Sequence, residues 1–388
     1  MHCRFEDRLA GRALKFEGFC SRIEARSAAQ VGPALAAIEA ARQQDRWVAL
    51  LLDYELGEWL LPEATRAAPA GSWTPPQDDG RPRLTALVFE RKVDEAPWDA
   101  PDAASADAAS ATATSVEAAI SLPAPRMTQA DYVRQVNAIR GLIEDGELYQ
   151  VNYTQPLDVQ LQGDAARLYR RIAARNPVAH AAFIQDGART VLSFSPELFV
   201  RRDGARLTTR PMKGTAPRHA DAGEDTRLGQ GLLASEKNRA ENLMIVDLLR
   251  NDLGRLAQPG SVKVDALFSL ERYPTVWTMT STVSAQAPDA TLEDVLRALF
   301  PCGSITGAPK VAAMRRIRQM ETGPRGLYCG SVGWLAPDGD FSLNVAIRTL
   351  VLDDAGHGVY SVGGGIVHDS DPAEEWQECH WKARILRV

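Results

Sequence analysis

The distribution of apolar and polar residues predicts an α/β segment at the start of the chain. Apolar residues recur at helical spacing over 34–41, and the continuous apolar run 47–54 is typical of a buried strand. A second strand is predicted at 84–89. We therefore assign residues 1–92 to one N-terminal region.

The pattern stops near residue 95, and the chain up to residue 125 consists mainly of Ala, Asp, Ser, Thr and Pro. Such a segment has too few large apolar side chains to form a packed core. Its prolines and its Ser, Thr and Asp content also disfavour the alternative of an alanine-rich helix. We interpret residues 93–125 as a flexible linker or surface loop.

Regular patterning returns at Thr128, a predicted N-cap for an amphipathic helix that ends at Asp145-Gly146. Strands are predicted at 148–157, 182–186, 190–194, 198–202, 331–336, 343–352 and 358–367, and helices at 165–175, 235–256, 291–299, 309–321 and 373–386. Strands occur in neighbouring groups with helices between the groups, which predicts an α+β fold. Residues 126–388 form the second region, and we expect both regions to pack as one globular unit.

Composition limits the classes of function. The chain has 388 residues and a net charge of −6, and this acidic balance argues against nucleic-acid binding. No apolar run approaches the ~18 residues of a membrane span, and residues 1–7 lack a signal-peptide core. The five cysteines are widely spaced and form no CxxC pair, as expected for free thiols. We predict a cytoplasmic protein that binds neither nucleic acid nor membrane.

Lys213 is the first candidate for chemistry. It lies between Pro211 and Gly214 in the segment 210–215, and Arg210 and Arg218 are close to it in sequence. Lysine is normally protonated, but burial and neighbouring positive charge favour the free amine, which is a nucleophile. The alternative is a solvated lysine in a basic turn.

Carboxylates form the next group of candidates. Glu197 precedes Lys213 by sixteen residues, a separation that two antiparallel strands and a turn can close. Glu241 is followed by the apolar run 242–246, so a carboxylate there needs a partner, and a hard divalent cation is one candidate. Glu375 and Glu378 lie on one helix face with Lys382. Solvated charge is the alternative for these helix carboxylates.

Two glycine-rich segments complete the set. The loop 303–310 lacks the spacing of a phosphate-binding Walker A motif, which disfavours a nucleotide-binding module. A loop that leads into a helix still presents backbone N–H groups to an anion. The triple glycine at 363–365 follows a β-like run, and a tight turn without a ligand is its alternative.

Taken together and in this order, these clusters resemble the chorismate-utilising enzymes, which include anthranilate, aminodeoxychorismate and isochorismate synthases. The resemblance extends from about Met127 to Arg384 and rests on the segments 145–152, 195–197, 239–248, 303–310, 347–349 and 363–366. It implies a layered sandwich of two antiparallel-rich β-sheets with helices on the outside. The N-terminal third resembles the family only loosely and lacks the Leu-Leu-Glu-Ser signature of tryptophan-inhibited members, so we expect no tryptophan inhibition.

Three positions distinguish activities within this family. Lys213 resembles the members that form aminodeoxychorismate, whereas members resembling anthranilate synthase have a small residue there. Gln150 occupies the position of the water-activating lysine of isochorismate synthases, and a glutamine cannot act as a general base. Thr278 replaces the histidine that anthranilate synthases use in pyruvate elimination, although some aminodeoxychorismate synthases retain that histidine.

The resemblance also implies a role for each site residue. Lys213 would attack C2 of chorismate while Glu197 protonates the departing C4 hydroxyl, after which ammonia replaces the lysine. Glu241 and Glu378 would bind Mg²⁺, with Glu375 holding its waters or serving only as surface charge. Substrate contacts are expected from Ser304, Thr306, Gly307, Arg348, Gly364, Gly365 and Lys382. For Arg348 and Lys382 a structural salt bridge is the alternative.

The implied partners are chorismate and a separate glutamine amidotransferase that supplies ammonia. The chain ends at Val388, directly after the last family helix, so we also expect a separate aminodeoxychorismate lyase downstream. Three other functions compete with this interpretation: anthranilate synthase component I, a non-catalytic chorismate-binding regulatory subunit, and a nucleotide-binding module.

Overall fold

The computed structural model describes residues 1–65, 80–100, 118–273 and 276–387, which fold into antiparallel strands covered by helices. In these residues the strands are β1 His2–Asp7, β2 Arg12–Ala25, β3 Trp47–Leu52, β4 Leu84–Glu95, β5 Ala119–Ile120, β6 Ala124–Pro125, β7 Gln150–Gln162, β8 His180–Gln185, β9 Thr190–Ser195, β10 Leu198–Asp203, β11 Arg206–Arg210, β12 Met212–Pro217, β13 Lys263–Arg272, β14 Val276–Gln286, β15 Gly307–Ala308, β16 Ser331–Leu335, β17 Phe341–Asn344, β18 Thr349–Leu352 and β19 His357–Ile366. The helices are α1 Ala28–Arg42, α2 Leu56–Leu60, α3 Gln129–Glu144, α4 Ala165–Arg175, α5 Ala222–Ala234, α6 Glu236–Gly254, α7 Leu292–Leu299, α8 Lys310–Met320 and α9 Pro372–Ala383, with 3-10 turns at Pro62–Ala64, Gly303–Ile305 and Arg384–Leu386.

The strands pair in one continuous antiparallel order, β15-β7-β19-β18-β9-β8-β1-β2-β4-β3-β16-β17-β10-β11-β14-β13, with β5 and β6 added to β7 and β12 added to β14. Cys3 and Ile184 from one half of this order share a buried cluster with Leu87 and Val332 from the other half. The two halves therefore face each other as two layers. The predicted α+β sandwich is confirmed, and β1 connects the N-terminal region to the second region because it pairs with β8 as well as with β2.

The N-terminal region supplies the middle of the strand order. The predicted strands at 47–54 and 84–89 are confirmed as β3 and β4, but β1 and β2 were not predicted. In β1, Arg4 and Glu6 are both almost fully buried and form an ion pair of 2.7 Å. Because charged residues are rarely buried unless paired, their presence concealed a buried strand.

The predicted strand at 343–352 is wrong as a single element. The chain forms β17 and β18, separated by a segment in which Arg348 has a positive φ of 50°. A non-glycine residue with positive φ leaves the extended conformation, so the strand is interrupted there. The four strands β11–β14 and the helix α5 were also missed.

The structure describes only part of the predicted linker at 93–125. Residues up to Glu95 continue β4, Trp98 packs against Arg4 at 4.8 Å, and 118–125 contribute β5 and β6. Residues 101–117 of that prediction lie outside the described residues. No helix in the described part of the chain has the length and apolar composition needed to cross a bilayer.

Candidate active site

The two ends of the strand order meet at the predicted site. Lys213 lies on β12 beside β14, whereas Gly365 lies on β19 beside β7. A Cβ atom on Gly365 would nevertheless be 3.4 Å from the Nζ of Lys213. Helix α6 packs on β12 and β14 and helix α9 packs on β19, so each end also brings a helix to the site.

The amine of Lys213 is held by the loop that precedes α8. Its Nζ donates a hydrogen bond of 3.0 Å to the carbonyl oxygen of Ser304. The carboxylates of Glu197, Glu241 and Glu378 all interact electrostatically with Lys213. The amine therefore faces three acidic groups drawn from a strand junction and two helices.

The cationic neighbours expected from the sequence are engaged elsewhere. Arg210 is paired with Glu271, and Arg218 donates to Asp225 at 2.7 Å. Arg210 at the end of β11 and Arg218 after the end of β12 are therefore each neutralised by a carboxylate of their own. The alternative of a basic turn is wrong, since Lys213 belongs to β12.

Glu197 is a buried acid next to this amine. It follows β9, and its side chain accepts a hydrogen bond of 2.7 Å from the Oγ of Ser304 and another from the backbone N–H of Met212. Burial raises the pKa of Glu197, and these donors and the charges of Lys213 and Arg348 oppose the increase only in part. A carboxyl group of this kind retains its proton to higher pH than an exposed glutamate does.

Ser304 connects the amine and the acid. Its carbonyl oxygen accepts from Lys213, its hydroxyl donates to Glu197, and the hydroxyl is also 3.2 Å from the Sγ of Cys302. The hydroxyl of Thr306 instead donates to the carbonyl of Cys302 at 2.9 Å. Of the predicted loop residues, Ser304 therefore contacts both Lys213 and Glu197, whereas the Thr306 side chain bonds within the loop.

Gly307 lies in β15, where this strand pairs with the start of β7. A Cβ atom there would overlap the carbonyl oxygen of Gln150, and the residue has a φ of 137°. Both observations require glycine at this position, because L side chains rarely adopt that conformation. The glycine lets the loop approach the start of β7 closely.

The triple glycine 363–365 lies within β19, so the alternative of a tight turn is wrong. The three residues pair with Thr154, Tyr153 and Asn152 of β7. A Cβ on Gly364 would come within 2.7 Å of the Oε2 of Glu375, and one on Gly365 would overlap the amide of Gln150. The three glycines therefore leave space beside β19 for side chains from β7, β12 and α9.

Gln150 lies within the site, although the sequence indicated only that it cannot act as a general base. Its side chain is 1% exposed, yet neither the Nε2 nor the Oε1 atom has a hydrogen-bond partner among the described residues. A buried amide without partners is costly unless a ligand or water satisfies it. In the sequence, the available signal was a glutamine at the start of the apolar strand β7. That signal does not show that both atoms of the Gln150 amide lack hydrogen-bond partners.

The three predicted metal-binding carboxylates lie close enough to affect one another. Burial raises the pKa values of Glu241 and Glu375, and the negative charge of Glu378 adds to both increases. The Oε1 of Glu375 accepts from Ser370 at 2.7 Å. In contrast, the ammonium group of Lys382 lowers the pKa of Glu378 through an ion pair of 2.6 Å.

This donor set fits Mg²⁺. Carboxylate oxygens are hard ligands, and Mg²⁺ uses one or two of them while keeping several waters. Within the described residues no group of three or more metal-binding side chains is already assembled around one point. Glu241 on α6 and Glu378 on α9 are the two carboxylates that would supply such oxygens.

The two predicted cationic contacts differ. Lys382 forms the ion pair with Glu378 and donates to the carbonyl of Gly363 at 2.6 Å, so the structural salt bridge proposed as its alternative is present. Arg348 has no ion pair in the ranges that the structure describes, although its charge acts on Glu197. Arg348 is therefore the cation that remains available to an anionic ligand.

A separate cavity of about 600 Å³ lies between the two layers of the sandwich. Phe5, His180, Arg210 and Trp334 are among its lining residues. None of the predicted site residues lines it. This cavity is therefore distinct from the cluster around Lys213.

The sequence profile of the chorismate binding enzymes matches residues 4–387, almost the whole chain. This chain belongs to the chorismate binding enzyme family. Aminodeoxychorismate synthase component 1 of Klebsiella aerogenes is 45% identical over 262 residues, which are 67% of this chain and 58% of that protein. Anthranilate synthase component 1 of Streptomyces coelicolor is 41% identical over 264 residues, or 67% of this chain and 51% of that protein. The chain thus spans between half and three fifths of the length of these relatives.

Solved structures agree on the fold. Anthranilate synthase component I of Streptococcus pneumoniae superposes with a TM-score of 0.79 at 25% identity, covering 97% of this chain and 92% of that one. The menaquinone-specific isochorismate synthase of Escherichia coli gives 0.75 at 19% identity, covering 100% and 87% of the two chains. The latter identity supports the fold alone.

Proposed function

We propose that this chain is the chorismate-aminating component of an aminodeoxychorismate synthase, which converts chorismate and ammonia to 4-amino-4-deoxychorismate and water. The observation that carries the proposal is the arrangement of Lys213 and the buried acid Glu197, both hydrogen-bonded to Ser304. An amine and a proton donor held by the same residue suit a reaction in which one bond forms as another breaks.

The first step joins the enzyme to the ring. Lys213 enters as the free amine and bonds to C2, the electron pairs of the two ring double bonds shift toward C4, and the C4–O bond breaks. Glu197 donates the proton with which the hydroxyl leaves as water. The raised pKa of Glu197 keeps that proton available, as a general acid requires.

The second step releases the lysine. Ammonia bonds to C4, the electron pairs shift back into the original diene, and the C2–N bond to Lys213 breaks. The new C4 ammonium group returns one proton to Glu197, which restores the acid. Two displacements in sequence leave the amino group on the face that the hydroxyl occupied.

The remaining residues hold the substrate and the metal. Glu241 and Glu378 would hold Mg²⁺ and Glu375 its waters; when bound, this ion supplies Lewis-acid withdrawal of electrons from the ring through its carboxylate. Arg348 and the backbone of Gly364 and Gly365 would receive the enolpyruvyl carboxylate. Lys382 would assist there through its bond to the carbonyl of Gly363.

The ammonia source and the cellular setting belong to the same proposal. A separate glutamine amidotransferase would supply ammonia, and a separate lyase would convert the product to para-aminobenzoate for folate synthesis. The bacterial relative is called component 1 of its synthase, which supports a multi-component enzyme. All five cysteines are free and four are buried, which supports a reducing cytoplasm.

Product identification tests this function. The protein is incubated with chorismate, Mg²⁺ and ammonium, and the products are separated before and after addition of an aminodeoxychorismate lyase. We expect para-aminobenzoate only after the lyase is added. Fluorescent anthranilate as the main product would assign the chain to the anthranilate-forming branch, and unchanged chorismate would indicate a binding subunit.

A further inference from the structure

The strand that carries Lys213 contains a β-bulge at the next residue. Lys213 pairs with Met279 of β14 and Thr215 pairs with Thr278, so Gly214 is an extra residue in β12. Gly214 has a φ of 79°, a conformation that glycine adopts without strain. A bulge leaves its extra residue outside the ladder and redirects the adjacent side chains.

Packing around the bulge allows little variation. A Cβ atom on Gly214 would come within 3.0 Å of Leu232 of α5 and 3.1 Å of Asn238 of α6. Both helices therefore press on the backbone at the residue that follows the nucleophile. The position of the Lys213 side chain depends on how this one peptide group is held.

One side chain bonds to that peptide group. The hydroxyl of Thr278 donates to the carbonyl oxygen of Gly214 at 3.0 Å, and Thr278 is 1% exposed. The bulge would otherwise leave this acceptor without its regular ladder partner. The Nζ of Lys213 meanwhile reaches the carbonyl of Ser304 on the opposite side of the site.

We propose that Thr278 is a positioning residue for Lys213: its hydroxyl fixes the Gly214 bulge and thereby aims the amine at the substrate. This inference rests on the proposed function for the identity of the substrate. It assigns Thr278 a task of its own, which is to orient the nucleophile through the backbone rather than to touch the reacting ring.

The test compares three variants. T278V removes the hydroxyl and keeps the shape, and T278S restores the hydroxyl. T280V is the matched control, because Thr280 is also buried on β14 but its hydroxyl donates to Glu271 at 2.7 Å, not to the bulge. Thermal unfolding of all three establishes that each variant is folded.

The first readout is the covalent adduct of Lys213, followed by intact-protein mass spectrometry with chorismate and Mg²⁺ in the absence of ammonia. Misplacing a reacting group by about 1 Å can cost up to ~100-fold, so we expect T278V to form the adduct at least ~10-fold more slowly. Amination by T278V should show a lower kcat with an unchanged KM for chorismate. T278S and T280V should resemble the original protein.

The second readout does not depend on the reaction. Backbone hydrogen exchange over 212–217 should accelerate in T278V and stay unchanged in T278S and T280V, because only T278V releases the bulge carbonyl. Exchange and adduct rates equal to those of the original protein in T278V would overturn the inference, as would equal losses in T278V and T280V. If the original protein forms no adduct, the covalent step of the proposed function fails, while the exchange comparison still decides whether Thr278 holds the bulge.

Discussion

Glu197 and the carboxylates of Glu241, Glu375 and Glu378 are the same chemical group in two different surroundings. Glu197 is 3% exposed and receives hydrogen bonds from Ser304 and Met212. The other three lie on α6 and α9, where burial raises the pKa values of Glu241 and Glu375 and the charge of Glu378 adds to both increases. A single buried acid with its own donors suits proton transfer, whereas carboxylates that repel one another suit a shared cation.

The largest effect is expected at the isolated acid. E197Q keeps the shape but cannot donate the proton with which the C4 hydroxyl leaves, so kcat should fall by ~10²- to 10⁴-fold. Steady-state kinetics with ammonium measure this loss, and thermal unfolding checks that the fold is kept. A variant with nearly full activity would remove Glu197 from the mechanism.

A smaller and different effect is expected at the shared carboxylates. E241Q and E378Q should raise the Mg²⁺ concentration for half-maximal activity by at least ~10- to 100-fold, and high Mg²⁺ should restore part of the rate. D247N on the same helix is the control, since Asp247 is an exposed partner of Arg250 at 3.1 Å. An unchanged Mg²⁺ requirement in both glutamate variants would contradict the division of roles.

The smallest effect is expected at Ser304, whose hydroxyl influences the pKa of Glu197. Because the proposed reaction uses protonated Glu197, whose pKa is raised by burial, kcat/KM should decline as the pH increases through that pKa. The hydroxyl of Ser304 lowers this pKa by bonding to the charged form. S304A should therefore move the alkaline decline to higher pH, with a rate loss of about 10-fold or less.

The control for that shift is S331A, because Ser331 is equally buried and donates to Asn344 at 2.6 Å, outside the catalytic cluster. Its pH profile should match that of the original protein. A shift of the S304A profile to lower pH would show that the hydroxyl does not stabilise the charged acid.

Local elements were predictable where the sequence carries strong local signals. Thr128 caps α3 by accepting from the backbone N–H of Asp131 at 3.1 Å, as its sequence context indicates. The strand β1 was obscured by a buried ion pair, and the break between β17 and β18 was not predicted because it depends on the positive φ of Arg348. Such features depend on partners distant in sequence, which periodicity does not report.

The site was predictable as a set of residues but not as an arrangement. Motif order singled out Lys213, Glu197 and the helix carboxylates, which the structure brings close together, but it did not show that Arg210 and Arg218 pair with other carboxylates. That Ser304 bonds to both the amine and the acid depends on two ends of a continuous sheet meeting. Contacts of that kind arise from topology and not from spacing along the chain.

The proposed mechanism requires that Lys213 becomes covalently attached to the ring during amination. The most direct measurement is intact-protein and peptide mass spectrometry after incubation with chorismate and Mg²⁺ without ammonia, on the original protein and on K213A. We expect an adduct of chorismate less water on the peptide containing Lys213, discharged to aminodeoxychorismate when ammonium is added, and no adduct in K213A. Undiminished aminodeoxychorismate synthesis by K213A would contradict the mechanism.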